Sequence, residues 1–234
     1  MDFENKEIYM TLIIGMILTL AIIFGAKDFI KKYPVASYLI SLIFSIAVIY
    51  LVYTETAKML PEWFGRYFLG TFVRGVFATT IFMVVMFLGC VRKHTPLTRK
   101  LMEIRAELSI IGCIFALTHN VIFGKRYFVW LLMDRSQFQT INQLVAAIIS
   151  AILVVLMLIL MITSFKCVRS KMSAITWKNV QKLAYPFFYL IYVHIMVLYA
   201  AKFNEKILDI AIYTIIYLTY TALRLKKANS KMSR

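Results

Sequence analysis

The chain has 234 residues, of which 62% are hydrophobic and 16% are charged, and its formal net charge is +16. Soluble domains are about half apolar and about a quarter charged, so this composition, with a mean hydropathy of +0.78, excludes an ordinary soluble protein and indicates an integral membrane protein. The positive charge does not indicate nucleic-acid binding, because the Lys and Arg residues lie in short segments beside apolar runs, where they contact lipid phosphates.

Seven apolar runs follow one another along the chain, and their lengths suit helices across a hydrocarbon core of about 30 Å. The predicted helices span residues 9–25, 35–53, 70–91, 108–123, 141–165, 183–201 and 207–223. The fourth run is short, and the amphipathic segment YFVWLLM after it (residues 127–133) either extends that helix or lies in the membrane interface with Trp130 as an anchor. The sequence therefore predicts an all-α polytopic helical bundle with about seven transmembrane helices, or six and a re-entrant segment.

The distribution of positive charge predicts the orientation of the bundle. With seven spans, most Lys and Arg residues fall on one side, in the segments 27–32, 92–105, 166–182 and 224–234. Cytoplasmic segments carry the excess of Lys and Arg, so we expect a multi-pass plasma-membrane protein with its carboxy terminus in the cytoplasm and its amino terminus outside. The first run lacks a clean small-residue cleavage site, so we expect it to be retained as a helix.

Several common chemistries have no signature in the sequence. The glycines form no GxG motif, which excludes a dinucleotide fingerprint and a phosphate-cradling loop. The three cysteines, Cys90, Cys113 and Cys167, stand apart and form no CxxC or zinc set, so we interpret them as small buried residues. Whatever the protein does, it does within the bilayer.

Two of the three histidines lie deep inside apolar runs. His94 falls in a basic loop, where we expect a solvated ring, whereas His119 and His194 belong to the fourth and sixth predicted helices. Both histidines are the same number of residues from the cytoplasmic boundary of their helix. At the rise of an α-helix this corresponds to a depth of about 18 Å, just past the middle of the hydrocarbon core. Ionisable residues are costly inside a membrane and are usually functional. Two imidazoles facing each other predict a haem iron with His on both axial positions, and the alternative for each ring is a hydrogen bond across a helix interface.

Arg74 lies about one turn inside the third predicted helix, about 6 Å below the outer surface. A haem held by His119 and His194 could point its propionates outward to this guanidinium. The alternative is an arginine that snorkels to the interface. Three aromatic residues near the histidines either line the porphyrin or only pack between helices, and we expect packing for them: Phe115, Tyr189 and Tyr192.

Two ordered stretches of the chain resemble the ferric reductase-like transmembrane domain family. The first, TPLTRKLMEIRAELSIIGCIFALTH, runs from Thr95 to His119, as a Thr-Pro-Leu loop and an arginine-containing turn that lead into a helix with a haem-ligand histidine. The second, ITSFKCVRSKMSAITWKNVQKLAYPFFYLIYVH, contains a Thr-Ser helix end, a basic turn, Trp177 and a closing helix with His194. The bacterial members of this family include the haem-binding membrane subunit of a methionine sulfoxide reductase system.

The resemblance implies an electron-transfer subunit of an oxidoreductase system that holds b-type haem through His119 and His194. Residues 1–69 would form two additional helices, residues 70–223 the haem-binding domain and residues 224–234 a basic cytoplasmic tail. Electrons would come from a quinol or from a cytoplasmic flavoprotein. They would pass to an extracytoplasmic acceptor, which is a methionine sulfoxide reductase, ferric ion or a flavin.

Gln181 departs from the family pattern, because it occupies the position of the first histidine of the closing helix. An amide is a poor ligand for haem iron, so we expect one haem, in the outer half of the membrane. About 18 Å would separate its iron from the cytoplasmic boundary, and fast reduction would need a bridge. A quinol between helices would supply one, as would an FMN near Gln181 and Trp177, since members of the family have been linked to flavin.

Two other functions fit the same residues. In a transporter or channel subunit, His119, His194 and Arg74 would line a polar path, although the sequence contains no inverted repeat and no pair of Gly- or Pro-broken helices. In a haem-free membrane scaffold, which Gln181 favours, the histidines would only connect helices.

Overall fold

The computed structural model describes residues 8–91 and 95–232, which are helical with no β-strand in these ranges. His94, expected to be a solvated ring, lies outside them. The α-helices, numbered in chain order, are α1 (Ile8–Lys32), α2 (Pro34–Tyr53), α3 (Gly70–Val73), α4 (Val76–Leu88), α5 (Pro96–Glu103), α6 (Arg105–His119), α7 (Lys125–Met133), α8 (Ile141–Ser164), α9 (Lys166–Arg169), α10 (Ala174–Gln181), α11 (Ala184–Ala200) and α12 (Phe203–Met232). Short 3-10 or π-helical turns precede α3, join α6 to α7 and lie in two of the loops.

Six helical segments are long and apolar enough to cross a membrane, and a seventh span results if one bent pair is counted. The six are Tyr9–Lys32, Pro34–Tyr53, Arg105–Met133, Ile141–Ser164, Ala174–Ala200 and Phe203–Asn229, and the bent pair is Phe64–Val73 with Val76–Leu88. The prediction of an all-α, multi-pass membrane protein is therefore confirmed. The segment 127–133 extends the fourth span through the π-helical turn Asn120–Gly124, as one of the two alternatives predicted.

The third predicted helix is not a single straight span. Residues 70–91 were expected to form one helix, but the structure bends by 55° between α3 and α4. Gly75 takes a left-handed backbone conformation with φ of 73°, which cannot continue a right-handed helix. Its N–H donates to Phe72 O, so α3 ends in a glycine-capped turn before α4 begins.

The two amino-terminal helices pack into the bundle through stripes of small residues, which let helix backbones approach closely in a membrane. On α1, Thr11, Gly15 and Thr19 lie one turn apart and face α3 and α4. The hydroxyls of Thr19 and Thr80 lie 2.8 Å apart, and Thr80 also donates to Gly15 O at 3.2 Å. On α2, which packs against α6, the buried residues at the same spacing are Ser37, Ser41 and Ser45.

Four helices enclose the centre of the remaining bundle. α6 packs against α4 and α8, and α11 packs against the same two helices, so these four form a closed ring. α12 covers α11 and also contacts α1. Within the described residues, α6 and α11 are not a closely packed pair and stand at opposite corners of the ring. Cofactor sites in helical bundles are commonly built between facing helices of this kind.

The basic segments meet at one end of the bundle, which we call the basic end. Lys31, at the end of α1, pairs with Glu103 of α5 at 2.6 Å, and this contact lowers the pKa of the Glu103 carboxyl. Lys227 of α12 donates to Gly89 O, after α4, at 2.7 Å. The rings of Tyr38, early in α2, and Phe165, after α8, lie edge to face. The segments that the sequence assigns to one side of the membrane are thus neighbours in space.

Cys167 gives a direct test of which way the basic end faces. It is exposed there, which corrects the interpretation of all three cysteines as buried, whereas Cys90 and Cys113 are buried. We expect a membrane-impermeant maleimide to label Cys167 in inverted vesicles and not in intact cells, because the basic end should face the cytoplasm. Cys167→Ser should remove the labelling in inverted vesicles. Labelling of Cys167 in intact cells would reverse the predicted orientation.

Candidate functional site

The bend between α3 and α4 holds the ring of His119. His119 is the last residue of α6, and its Nδ1 lies 2.9 Å from Val73 O, at the end of α3. A carbonyl only accepts hydrogen bonds, so Nδ1 carries the proton and donates it. The last carbonyls of a helix lack a partner within the helix, which makes Val73 O an available acceptor. Nε2 of His119 is left unprotonated, with its lone pair free.

Gly75 packs directly on the same ring. A Cβ atom at this position would lie 3.0 Å from His119 Cγ and 3.2 Å from Cδ2, closer than side chains tolerate without movement. Glycine is also the residue best suited to the backbone conformation at this position, because φ of Gly75 is 73°. The bend therefore contributes both a hydrogen-bond acceptor and a close backbone contact to His119.

His194 of α11 is held in the same way from another helix. Its Nδ1 lies 3.2 Å from Ala146 O and 3.3 Å from Ser150 Oγ, both on α8. Donation to the Ala146 carbonyl again places the proton on Nδ1 and leaves Nε2 with a free lone pair. Metal-bound histidines usually have this arrangement, in which the nitrogen that does not bind the metal donates to a carbonyl or carboxylate.

The two rings lie on facing helices, toward the end of the bundle opposite to the basic end. Ala146 is in the second turn of α8, whose other end is at the basic end, and Val73 precedes the bend. His119 and His194 interact electrostatically with each other. Both are half-buried in the protein, on helices at opposite corners of the ring of four. Each of these two helices therefore carries one imidazole with an unprotonated Nε2.

Arg74 lies at the bend, next to the residue that binds His119. Its Nε and Nη1 are buried and have no hydrogen-bond partner among the described residues. It interacts electrostatically with Tyr199 and Asp209. Asp209 and Lys206, each 4% exposed, pair with each other at 3.8 Å. This pair is neutral as a unit, so the positive charge of Arg74 is not balanced within the described residues.

The pairing of Lys206 with Asp209 was not foreseen from the sequence. Asp209 stands out there only as an acidic residue in the last apolar run, and Lys206 precedes the start of that run. The available signal was their spacing of three residues, which places both on one face of a helix. Their position beside Arg74 depends on the packing of α12 against α1 and α11, which the sequence does not specify.

The three predicted aromatic residues pack between helices. Phe115 is 5% exposed and lies among Phe44, Phe72 and Phe77, with ring centroids 4.8 to 6.0 Å away. The hydroxyl groups of Tyr189 and Tyr192 meet Thr221 and Thr214 of α12, at 2.8 and 2.9 Å. These contacts agree with the expectation of packing.

Gln181 connects two helices. Its Nε2 donates to Thr163 Oγ1 at 3.0 Å, and Trp177 Nε1 donates to Thr163 O at 3.0 Å. Trp177 and Gln181 thereby attach α10 to the end of α8. Arg169 lies over the Trp177 ring, 5.8 Å from its centroid. The amide at this position thus supports the helix end at the basic end of the bundle.

The described residues provide no set of ligands for a bare metal ion. Within residues 8–91 and 95–232, no group of three or more His, Cys, Asp or Glu side chains is placed to hold a metal. A haem iron makes a smaller demand on the protein, because the porphyrin supplies the equatorial ligands and the chain supplies the axial ones. Two imidazoles are sufficient for that purpose.

Comparison with known proteins finds a relative without an assigned activity. The chain is 36% identical over 226 residues to a protein of Treponema pallidum (strain Nichols) described as uncharacterized. The aligned region covers 95% of this chain and 62% of the relative, so the chain spans less than two thirds of that protein's length. No family model and no solved structure matches the chain.

Proposed function

We propose that this protein is a transmembrane electron carrier of the ferric reductase-like type, with one b-type haem held between His119 and His194. The observation that carries the proposal is the common state of the two imidazoles. Each donates Nδ1–H to a backbone carbonyl and keeps Nε2 free, at 2.9 Å from Val73 O and 3.2 Å from Ala146 O. Helix packing alone requires no such match between two rings on facing helices.

Arg74 supports an anionic cofactor in the same place. Its buried Nε and Nη1 lack acceptors, and its charge is not balanced by the Lys206–Asp209 pair. Burying a cation without a partner is costly, so an anion at this position would relieve the cost. The propionates of a haem bear the appropriate charge. Arg74 follows Val73 in the chain, so the same bend would serve both the iron ligand and the propionate.

The residues of the chain would prepare the site in three ways. The Val73 and Ala146 carbonyls fix the orientation of the imidazoles and increase the basicity of Nε2. Gly75, which has no side chain, allows the His119 ring to lie close to the backbone of the bend. The surrounding helices would limit the access of water to the haem. The haem, when bound, would supply a one-electron Fe(III)/Fe(II) couple whose potential depends on its axial ligands and burial.

In this proposal the basic end faces the cytoplasm and the haem lies nearer the outer side of the plasma membrane. The donor is a quinol in the membrane or a cytoplasmic flavoprotein, and an FMN near Trp177 and Gln181 is an alternative bridge. The acceptor is extracytoplasmic, either a reductase of the methionine sulfoxide type or a ferric or flavin compound. Residues 1–69 add the two helices that pack on α4 and α6, outside the haem-binding region 70–223.

The proposal predicts one haem per chain in protein purified from cells with an adequate haem supply. We expect the dithionite-reduced minus oxidised spectrum to show the sharp α-band of bis-histidine haem b. A pyridine haemochrome assay should then give a haem-to-protein ratio of about one, because Gln181 is not a haem ligand. A ratio of about two would restore the second haem, and a haem-free protein would overturn the proposed function.

A further inference from the structure

Three basic side chains from two distant parts of the chain converge on the end of α4. Lys227 donates to Gly89 O at 2.7 Å. Arg105, the first residue of α6, has Nη2 3.5 Å from the position that a Cβ of Gly89 would occupy. Arg224, one turn before Lys227 on α12, donates to the hydroxyl group of Tyr185. We call these three residues, Arg105, Arg224 and Lys227, the basic cluster.

The positive charge of Arg105 is not balanced by a carboxylate among the described residues. Arg105 interacts electrostatically with Arg224 and otherwise with three groups, none of which is a carboxylate: Tyr185, Tyr220 and Cys90. Each of the three cations of the basic cluster also acts on the buried thiol of Cys90. The carboxy-terminal end of α4 offers roughly half a negative charge, which is less than two guanidinium groups carry. An anion at this position would therefore be strongly favoured.

The basic cluster also differs from the other cations of the basic end. Its three side chains are half-buried, whereas Lys171 and Lys178, for example, are exposed. Solvent screening weakens the repulsion between exposed like charges, and it is less effective for half-buried ones. The fold thus holds two arginines close together in a place where solvent screens their repulsion poorly. This is typical of a site that binds an anion.

We propose that the basic cluster binds a phosphate group. Guanidinium groups bind phosphate oxygens through two parallel hydrogen bonds, and Lys adds a point charge. Arg105 begins a membrane-spanning helix and Arg224 lies near the end of the last one, so the site is at the level of lipid headgroups. The phosphate belongs either to an anionic phospholipid or to a soluble compound such as a nucleotide or FMN. The site is independent of the proposed haem.

The first experiment compares wild-type protein with Arg105→Gln, Arg224→Gln and the double variant, and Lys171→Gln and Lys178→Gln serve as matched controls. Binding of phosphatidylglycerol and phosphatidylcholine to the purified protein is measured by native mass spectrometry and by titration. The soluble probes are inorganic phosphate and FMN. We expect saturable binding of one probe class, weakened about tenfold or more in the double variant and about twofold or less in the controls.

The probes identify the source of the phosphate. Preference for phosphatidylglycerol over phosphatidylcholine, without competition by soluble phosphates, assigns a lipid headgroup, and saturation by FMN or inorganic phosphate assigns a soluble ligand. Arg224→Lys should bind better than Arg224→Gln, because it restores the charge and not the paired hydrogen bonds. The preference for phosphatidylglycerol over phosphatidylcholine is measured on wild-type protein, so this result does not depend on whether any variant folds. Equal binding of all probes by wild-type protein, or equal loss in the controls, would overturn the proposal.

Discussion

Replacing either His119 or His194 with alanine is expected to remove the α-band from the reduced spectrum and to lower the haem-to-protein ratio about tenfold or more. Each variant lacks one of the two imidazoles whose Nδ1 donates to a backbone carbonyl and whose Nε2 is unprotonated. With one axial ligand missing, haem would bind weakly and in a different spin state. Absorption spectra of protein purified in parallel, with haem quantified separately, measure both effects.

His94→Ala is the matched control for the two substitutions, because His94 lies in the basic sequence VRKHTPLTRK and not in an apolar run. It should retain the wild-type spectrum. Added imidazole should restore part of the α-band in His119→Ala and His194→Ala by filling the space of the missing ring. This rescue separates a ligand role from a structural one, because imidazole cannot repair a lost helix contact. An unchanged spectrum in either alanine variant would contradict axial ligation by that residue.

The sequence predicted the long apolar helices well, and physical reasons explain where it was less accurate. α2 and α8 lie within one residue of their predicted bounds, because an uninterrupted apolar run in a membrane has to satisfy its own backbone hydrogen bonds. The helix α10 was not expected, since its sequence AITWKNVQ mixes polar and apolar residues and is too short to span a membrane. The bend at Gly75 was missed because glycine is tolerated within membrane helices, and the sequence alone does not show that the residue has a positive φ.

The candidate site was foreseen as a set of residues and not as an arrangement. His119, His194 and Arg74 stood out because titratable groups are rare inside membranes. The two histidines are comparable because each donates a hydrogen bond from Nδ1 to a backbone carbonyl. The carbonyls belong to Val73 and Ala146, which are distant from the histidines in sequence and have ordinary apolar side chains. Side-chain chemistry gives no signal for a backbone acceptor. Such partners become visible only when helix packing is known.

Gly75→Ala is expected to reduce both haem binding and protein stability, although Gly75 would not be a ligand of the haem iron. The left-handed conformation costs an alanine about 1 to 2 kcal/mol. The added Cβ would also lie 3.0 Å from His119 Cγ, so either the ring or the bend has to move. Movement of the ring would lengthen its 2.9 Å hydrogen bond to Val73 O and displace Nε2. Haem content and the thermal unfolding midpoint should decrease, and the reduction potential should rise, because a longer hydrogen bond on Nδ1 makes Nε2 a weaker donor to Fe(III).

Two glycines elsewhere separate this effect from a general cost of substitution. A Cβ atom added to Gly25, in α1, would have no neighbour within 4 Å, so Gly25→Ala should be neutral or stabilise the helix by about 0.5 to 1 kcal/mol. Gly112 lies on the same helix as His119, and its Cβ would meet Phe82 Cε1 at 2.9 Å. Gly112→Ala should therefore lower the unfolding midpoint while the haem that binds keeps its wild-type spectrum and potential. If Gly75→Ala behaved like Gly112→Ala, the bend would be a packing feature, whereas a higher potential in Gly75→Ala alone would identify the bend as the support of the His119 ligand.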